Sequence, residues 1–199
     1  EIDLAPELYR GKERLIGYMP QQSDFDRAFP ISVLEVVLSG LQGSRGLLAR
    51  YASDDRKKAL RLLEEAGIGE TARHPIGEVS GGQMQRALLC RAVISEPRLL
   101  ILDEPANFVD NKFENELYRM LRELNGRMAI MMVSHDIGTI SSVVKEIVCV
   151  NRQVHRHRSN LLTEEQLRNY DCPIRILSHG HVPHTVLEHH PGDCCCDHE

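Results

Sequence analysis

No stretch of this chain approaches the roughly 18 consecutive apolar residues of a membrane-spanning helix, so nothing in it reads as a transmembrane segment. A basic excess is missing too: 24 Lys and Arg stand against 29 Asp and Glu, a formal charge of −5. Strongly nucleic-acid-binding domains are usually basic, so no nucleic-acid partner is expected. There is no signal peptide and no internal repeat, and the first residue is Glu1 rather than Met, which fits a fragment of a longer protein. Cys90, Cys149 and Cys172 are scattered, unlike a secreted disulfide framework, so a reducing compartment is expected. Cys90 and Cys149 lie among apolar residues and read as buried thiols. What remains is an ordinary globular composition, 42% hydrophobic and 27% charged over 199 residues.

Apolar runs and turn residues organise the chain. Leu15–Met19, Leu99–Leu102, Ala129–Val133 and Ile147–Val150 read as short strands, the last three as buried ones. Helices are expected after Pro30 over Ile31–Leu41, from an N-cap at Ser53 to Gly67, from Gly81 to about Ser95, and from a cap at Asp110 to Leu124. Strands alternating with helices predict an α/β fold with a mainly parallel sheet. Residues 20–98 look mainly helical, so a helical subdomain over about 23–98 interrupts that core. The expected division is 1–150, a C-terminal extension 151–178 with a short helix near Glu164–Asn169, and a tail 179–199.

Chemistry concentrates where strands end or helices begin. Leu99-Leu100-Ile101-Leu102-Asp103-Glu104-Pro105 is an apolar strand ending in two carboxylates. Asp103 can hold Mg²⁺ through hard oxygen donors, and Glu104, pointing elsewhere, can act as a general base towards water. The same pair can equally cap a loop. Val79-Ser80-Gly81-Gly82-Gln83 opens a helix, where an N-cap serine and two glycines leave backbone N–H groups open to an anion such as phosphate. A plain capped helix is the alternative. His135 after Ser134 can donate to a phosphate oxygen, and the Gln21 amide can coordinate a metal or orient water.

In this order the segments resemble the nucleotide-binding domain of an ABC (ATP-binding cassette) ATPase, over roughly residues 14–150. The resemblance implies a P-loop NTPase-like core with an inserted helical subdomain. It makes Gln21 the Q-loop glutamine, Ser80–Gln83 the signature motif, Leu99–Asp103 the Walker B strand, Glu104 the catalytic base, Asp110 the end of the D-loop and His135 the switch histidine. Two such subunits would face head to tail around two ATP molecules, with Ser80, Gly81 and Gly82 of one reaching the γ-phosphate held by the other, and Asp103 and Gln21 serving Mg²⁺. One part is missing. The family's P-loop, Gly-x-x-x-x-Gly-Lys-Ser/Thr, has no match: Gly11-Lys12 is preceded at the required place by Pro6 and followed by Glu13. An N-terminally truncated record is the expected reason, with a natural P-loop-less regulator as the alternative. This chain alone is then expected to be inactive.

Residues around Asp26–Gly40, Cys172-Pro173-Ile174 and His179-Gly180-His181 are similar to the zinc/manganese importer branch of the family. That resemblance implies an integral-membrane permease as partner, a periplasmic or lipoprotein metal-binding protein indirectly, and a peripheral place on the cytoplasmic face of the inner membrane. The alternatives are a soluble non-transport ABC ATPase and a non-catalytic metal-sensing regulator. The tail adds its own chemistry. His179, His181, His184, His189, His190, Cys194, Cys195, Cys196 and His198 crowd residues 179–199, which hold no Lys or Arg. Imidazole and thiolate are what Zn²⁺ prefers, so loose or shared zinc binding is expected there.

Overall fold

Leu99–Asp103, four apolar residues and an acid, is the central strand β2 of a parallel sheet among the described residues. Strand β1, Ile16–Met19, flanks it with Tyr18 opposite Ile101, and β3, Ala129–Val133, flanks it on the other side with Met131 opposite Ile101. The computed structural model describes residues 16–21, 29–42, 50–105, 111–134, 143–151, 153–157, 174–179 and 182–187. The chain forms two compact units, Glu1–Ser134 and His135–Glu199.

The sheet departs from expectation in one respect. β2 and β3 read as strands buried on both faces, yet burial alternates along them. Leu100 and Leu102 are fully buried, whereas Tyr18, Met131 and Val133 are each more than half exposed. A parallel sheet buried on both sides needs a layer over each face. In a run of five apolar residues the sequence cannot say whether both layers are present.

Between β1 and β2 the described residues form helices and short turns. Helix α1, Val33–Ser39, follows Pro30 as expected, and Ser32 caps it: the Glu35 N–H donates to Ser32 Oγ, while the Ser32 N–H donates to Glu35 Oε2 at 2.9 Å. Helix α2, Ser53–Glu65, corrects the reading of Ser53 as N-cap. Ala52 holds that position, and its N–H donates to Asp55 Oδ2 at 2.7 Å. A carboxylate three residues into the helix reaches back to the entry, so Ser53 is already helical. Helix α3, Gly81–Val93, buries Met84, Ala87, Leu88 and Cys90 and packs on α1, α2 and β1. Burial, then the charge of Glu65, pushes the Cys90 thiol up to about 12, so this is an inert core thiol, as expected. Helix α4, Asn111–Asn125, buries Leu117, Tyr118, Leu121 and Leu124 along one stripe. The expected cap, Asp110, lies outside the described residues.

In the second unit, Ile147–Asn151 is a strand, β4, but not a further buried strand of the parallel sheet. It pairs antiparallel with β5, Gln153–His157, and Val148 and Val150 are 53% and 75% exposed. With a single residue between the strands, the local partner is within reach at almost no loop-closure cost. Cys149, expected to be buried, is half-buried. A second antiparallel pair, β6 (Ile174–His179) and β7 (Val182–Leu187), runs across the expected boundary between the extension and the tail. Apolar residues recur at Ile174, Ile176 and Leu177 and again at Val182, Val186 and Leu187 on either side of Gly180, a hairpin pattern that the histidines disguise. The short helix expected near Glu164–Asn169 lies outside the described residues.

Two glycines admit α3 closely. A Cβ on Gly17 would collide with the Ala92 carbonyl oxygen and stand 2.9 Å from Pro97 Cγ; on Gly40 it would collide with the Arg91 carbonyl and stand 2.6 Å from Ile94 Cγ2. Gly17→Ala is therefore expected to destabilise the chain by about 1–3 kcal/mol through overpacking. Urea unfolding reads this as a lowered midpoint at unchanged slope; a parental midpoint would show that the contact yields.

Candidate functional site

Parallel strands deliver their C-terminal ends to one edge, where ligands of such sheets bind. Here that edge carries Gln21 just beyond β1 and Pro20, Asp103 and Glu104 at the end of β2, and Ser134 after β3. Three candidates from the sequence, Gln21, Asp103 and Glu104, thus come to one side of the sheet. His135, the fourth expected there, follows Ser134 but lies outside the described residues, as does Asp110.

Glu104 has a left-handed backbone, φ 48°. Its N–H donates to the Val133 carbonyl at 3.0 Å, extending the β2–β3 pairing by one bond past Asp103. A non-glycine residue in this region costs of order 1 kcal/mol and persists where its surroundings over-determine it. The turn ends the strand abruptly. Asp103 stays on the sheet's more exposed face in line with Ile101, while the chain swings away at Glu104 and enters the buried Pro105. Two adjacent acids are thereby separated in direction.

Tyr18 was not foreseen. Its hydroxyl donates to Asp103 Oδ2 at 3.3 Å. Loss of hydration first, then the charge of Asp103 and this hydrogen bond, holds the phenol above its usual value of 10.0. The signal was in the register: Tyr18 pairs with Ile101, so it shares a face with Asp103 two residues further on. The edge offers hard oxygen donors, the Asp103 carboxylate and the Gln21 amide oxygen, and Gln21 is exposed. That donor chemistry fits Mg²⁺, which takes one or two carboxylates and keeps several waters.

The second candidate is the start of α3. Ser80 is its N-cap, with the reciprocal pair complete: the Gln83 N–H donates to Ser80 Oγ at 3.3 Å and the Ser80 N–H to Gln83 Oε1 at 3.0 Å. Gln83, a candidate ligand residue, therefore spends its side chain on the cap. Ser80 is exposed and Gly81 and Gly82 are half-buried, so the helix start meets solvent. One turn further, Arg86 donates to the Ala66 carbonyl at 2.7 Å and forms an ion pair with Glu116. It thus ties α3 to the end of α2 and to α4.

Of the tail candidates, His179 and His184 lie in described strands. Leu177 pairs with His184 and His179 with Val182, so the two histidine positions are on one face of the β6–β7 hairpin. His181, His189, His190, Cys194, Cys195, Cys196 and His198 lie outside the described residues. Among the described residues no group of three His, Cys, Asp or Glu side chains is gathered to hold a metal ion. None of their helices is long and apolar enough to cross a membrane.

Comparison with known proteins gives a consistent result. The sequence profile of the family described as ABC transporter matches residues 3–107. The zinc import ATP-binding protein ZnuC of Pseudomonas entomophila (strain L48) is 39% identical over 186 residues, covering 92% of this chain and 66% of that protein. A protein of Thermotoga maritima named Probable metal transport system ATP-binding protein is 35% identical, covering 88% of this chain and 75% of its own length. Among solved structures, an inward-facing metal-chelate type ABC transporter aligns with a TM-score of 0.75 at 25% identity, covering 88% of this chain and 74% of that one. A dimeric ATP-binding cassette in a post-hydrolysis state, bound to ADP and Pi, aligns with a TM-score of 0.58 at 28% identity, covering 69% of this chain and 58% of that one. The chain spans 66% and 54% of the lengths of two ZnuC relatives, from Pseudomonas entomophila and Pseudomonas putida.

The Ser80 cap generates a prediction of its own. Ser80→Ala removes the acceptor for the Gln83 N–H and should lower stability by about 1 kcal/mol, whereas Ser80→Asp should keep most of it. Thermal unfolding of the three proteins checks this; equal midpoints would mean the cap contributes nothing.

Proposed function

Because this chain belongs to the ABC transporter family, we propose that it is the ATP-hydrolysing subunit of an importer for divalent metal ions, zinc or manganese. In this reading it works as a homodimer, peripheral to the cytoplasmic face of the membrane and docked on an integral permease. A metal-binding protein on the far side delivers the ion. The observation that carries the reading is the Asp103–Glu104 pair at the C-terminal edge of the parallel sheet, turned apart by the left-handed backbone of Glu104. The metal branch rests on the stretches around Asp26–Gly40 and Cys172–Ile174 and on relatives named for zinc import and metal transport.

The chemistry follows from the residues. Glu104 accepts a proton from a water directed at the terminal phosphate, and Asp103 and Gln21 hold Mg²⁺. Held by those residues, the ion would supply positive charge towards the phosphate oxygens. Tyr18 donates to one Asp103 oxygen and so limits the directions in which that carboxylate can face a ligand. The open start of α3, at Ser80, Gly81 and Gly82, offers backbone N–H groups to a phosphate held by a second subunit. Asp110 and His135 complete the site, the latter by steadying the transferred phosphate.

The test is kinetic. The 199-residue chain, which has no Gly-x-x-x-x-Gly-Lys-Ser/Thr cradle, should turn over ATP negligibly. In a version that carries such a cradle upstream, Glu104→Gln should bind ATP normally, accumulate as a dimer and lose about 100-fold or more in kcat. Near-normal turnover in that variant would remove Glu104 as the base.

We further propose that the tail binds Zn²⁺ and that, once filled, it slows import. His179 and His184 share a hairpin face, His181 falls between them in sequence, and His189, His190, Cys194, Cys195, Cys196 and His198 follow. Zinc titration of the full chain against one with His189, His190, His198 and Cys194–Cys196 replaced should show fewer ions bound and unchanged folding. Equal stoichiometry would leave the tail as a solvated extension.

A further inference from the structure

Arg86 lies in the first half of α3, about 9 Å along the helix axis from Ser80 at 1.5 Å per residue. Arginine is mostly exposed in folded chains, yet this side chain is only 19% exposed. Its guanidinium reaches two other helices. Nη1 donates to the Ala66 carbonyl at 2.7 Å, and Nη2 is paired with the Glu116 carboxylate. Ala66 is the C-cap of α2, where carbonyls lack intrahelical partners and form the negative end of the helix dipole, so a cation is favoured there. Gly67 follows in the left-handed region, φ 69°, and a Cβ on it would stand 3.0 Å from Nη1. Helices α2, α3 and α4 thus meet at one planar group.

Two of these helices start close to the proposed chemistry. α3 begins after Ser80, and α4 begins at Asn111, six residues beyond Pro105 in the chain. Glu116 is about 8 Å along α4 from Asn111. The ion pair therefore joins α3 and α4 at nearly equal distances from their two starts. The other end of α3 is anchored by the Arg91 and Ala92 carbonyls against Gly40 and Gly17. Near its start, buried Met84 and Leu88 hold it by apolar contact, which is non-directional. A guanidinium with two partners adds direction, because its donors lie in a fixed fork.

We propose that Arg86, oriented by Glu116, is a positioning residue for the phosphate contact at Ser80, Gly81 and Gly82: it fixes how the start of α3 is presented to a nucleotide held by a second subunit. This role rests on the reading of the chain as an ATP-hydrolysing subunit. The defect on its loss is of a particular kind. A subunit binding ATP on its own does not use its own Ser80, so that affinity stays. Dimer closure and turnover do use it, and they fall. Lysine at this position keeps the charge and loses the planar fork that serves both partners.

The experiment uses the version that carries a phosphate cradle upstream, as parent, Arg86→Lys, Glu116→Gln and the double variant. ATP affinity of the monomer should be unchanged in all. In Arg86→Lys, kcat should fall by roughly 10–100-fold, the scale of loss that a misplacement of about 1 Å far from the chemistry causes. The double variant should lose no more than Arg86→Lys alone, because the two residues act as one unit. In a Glu104→Gln background, Arg86→Lys should raise the protein concentration at which the ATP-bound dimer forms. Glu116 is 38% exposed, so Glu116→Gln keeps the fold and shows the same direction of effect independently. A merely structural pair would lower the urea midpoint and leave kcat and dimer formation parental. That result, additive losses in the double variant, or an equal loss of monomer ATP affinity would each overturn the proposal while Glu104→Gln still abolished turnover. Turnover that survives Glu104→Gln would instead remove the ATPase reading, and this role with it.

Discussion

The first unit depends on one close approach: the carbonyls of Arg91 and Ala92, in the last turn of α3, lie against Gly40 and Gly17. Gly40 closes the short α1 helix and Gly17 is inside β1, so a single helix end locks the helical region to the sheet. The rest of α3 is then a lever. Its thirteen residues span about 20 Å at 1.5 Å per residue. At the far end sits the capped Ser80 with the two glycines. Between the ends, Arg86 braces the helix against the Ala66 carbonyl and Glu116. A displacement at the Ser80 end cannot be absorbed by slippage at β1, because the glycine contact leaves no room for it. In the proposed transporter this rigid connection carries a partner subunit's phosphate contact to the strand that leads into Gln21.

Much of this was legible in the sequence, for physical reasons that can be named. The Leu-Leu-Ile-Leu run before Asp103 reads as a strand because it is short, wholly aliphatic and bounded by turn residues. Ser80 with Gln83 reads as a cap because the reciprocal hydrogen bonds need those side chains at that spacing. Asp103, Glu104 and Gln21 came to one edge because parallel strands align their ends. Elsewhere local signals were ambiguous. Ser53 is a good cap by type, but Asp55 reaches back and shifts the helix start by one residue. Ile147–Val150 is a strand as read, yet strand character does not name its partner, and the nearest one won. The β6–β7 hairpin was hidden because histidines occupy positions where alternation is usually scored. Tyr18 was missed because its meaning depends on a register across more than eighty residues of chain.

The backbone of Glu104 has a consequence for how such a chain can change over time. At φ 48° the position favours glycine or asparagine, either of which would relieve strain that glutamate bears. A substitution there towards stability is therefore a substitution away from a carboxylate at the proposed water-activating place. Selection for a sturdier fold and selection for turnover pull this one codon in opposite directions. A descendant released from catalysis would be expected to drift first here, gaining stability as it lost its base, while Asp103, under no such strain, could persist unchanged beside it.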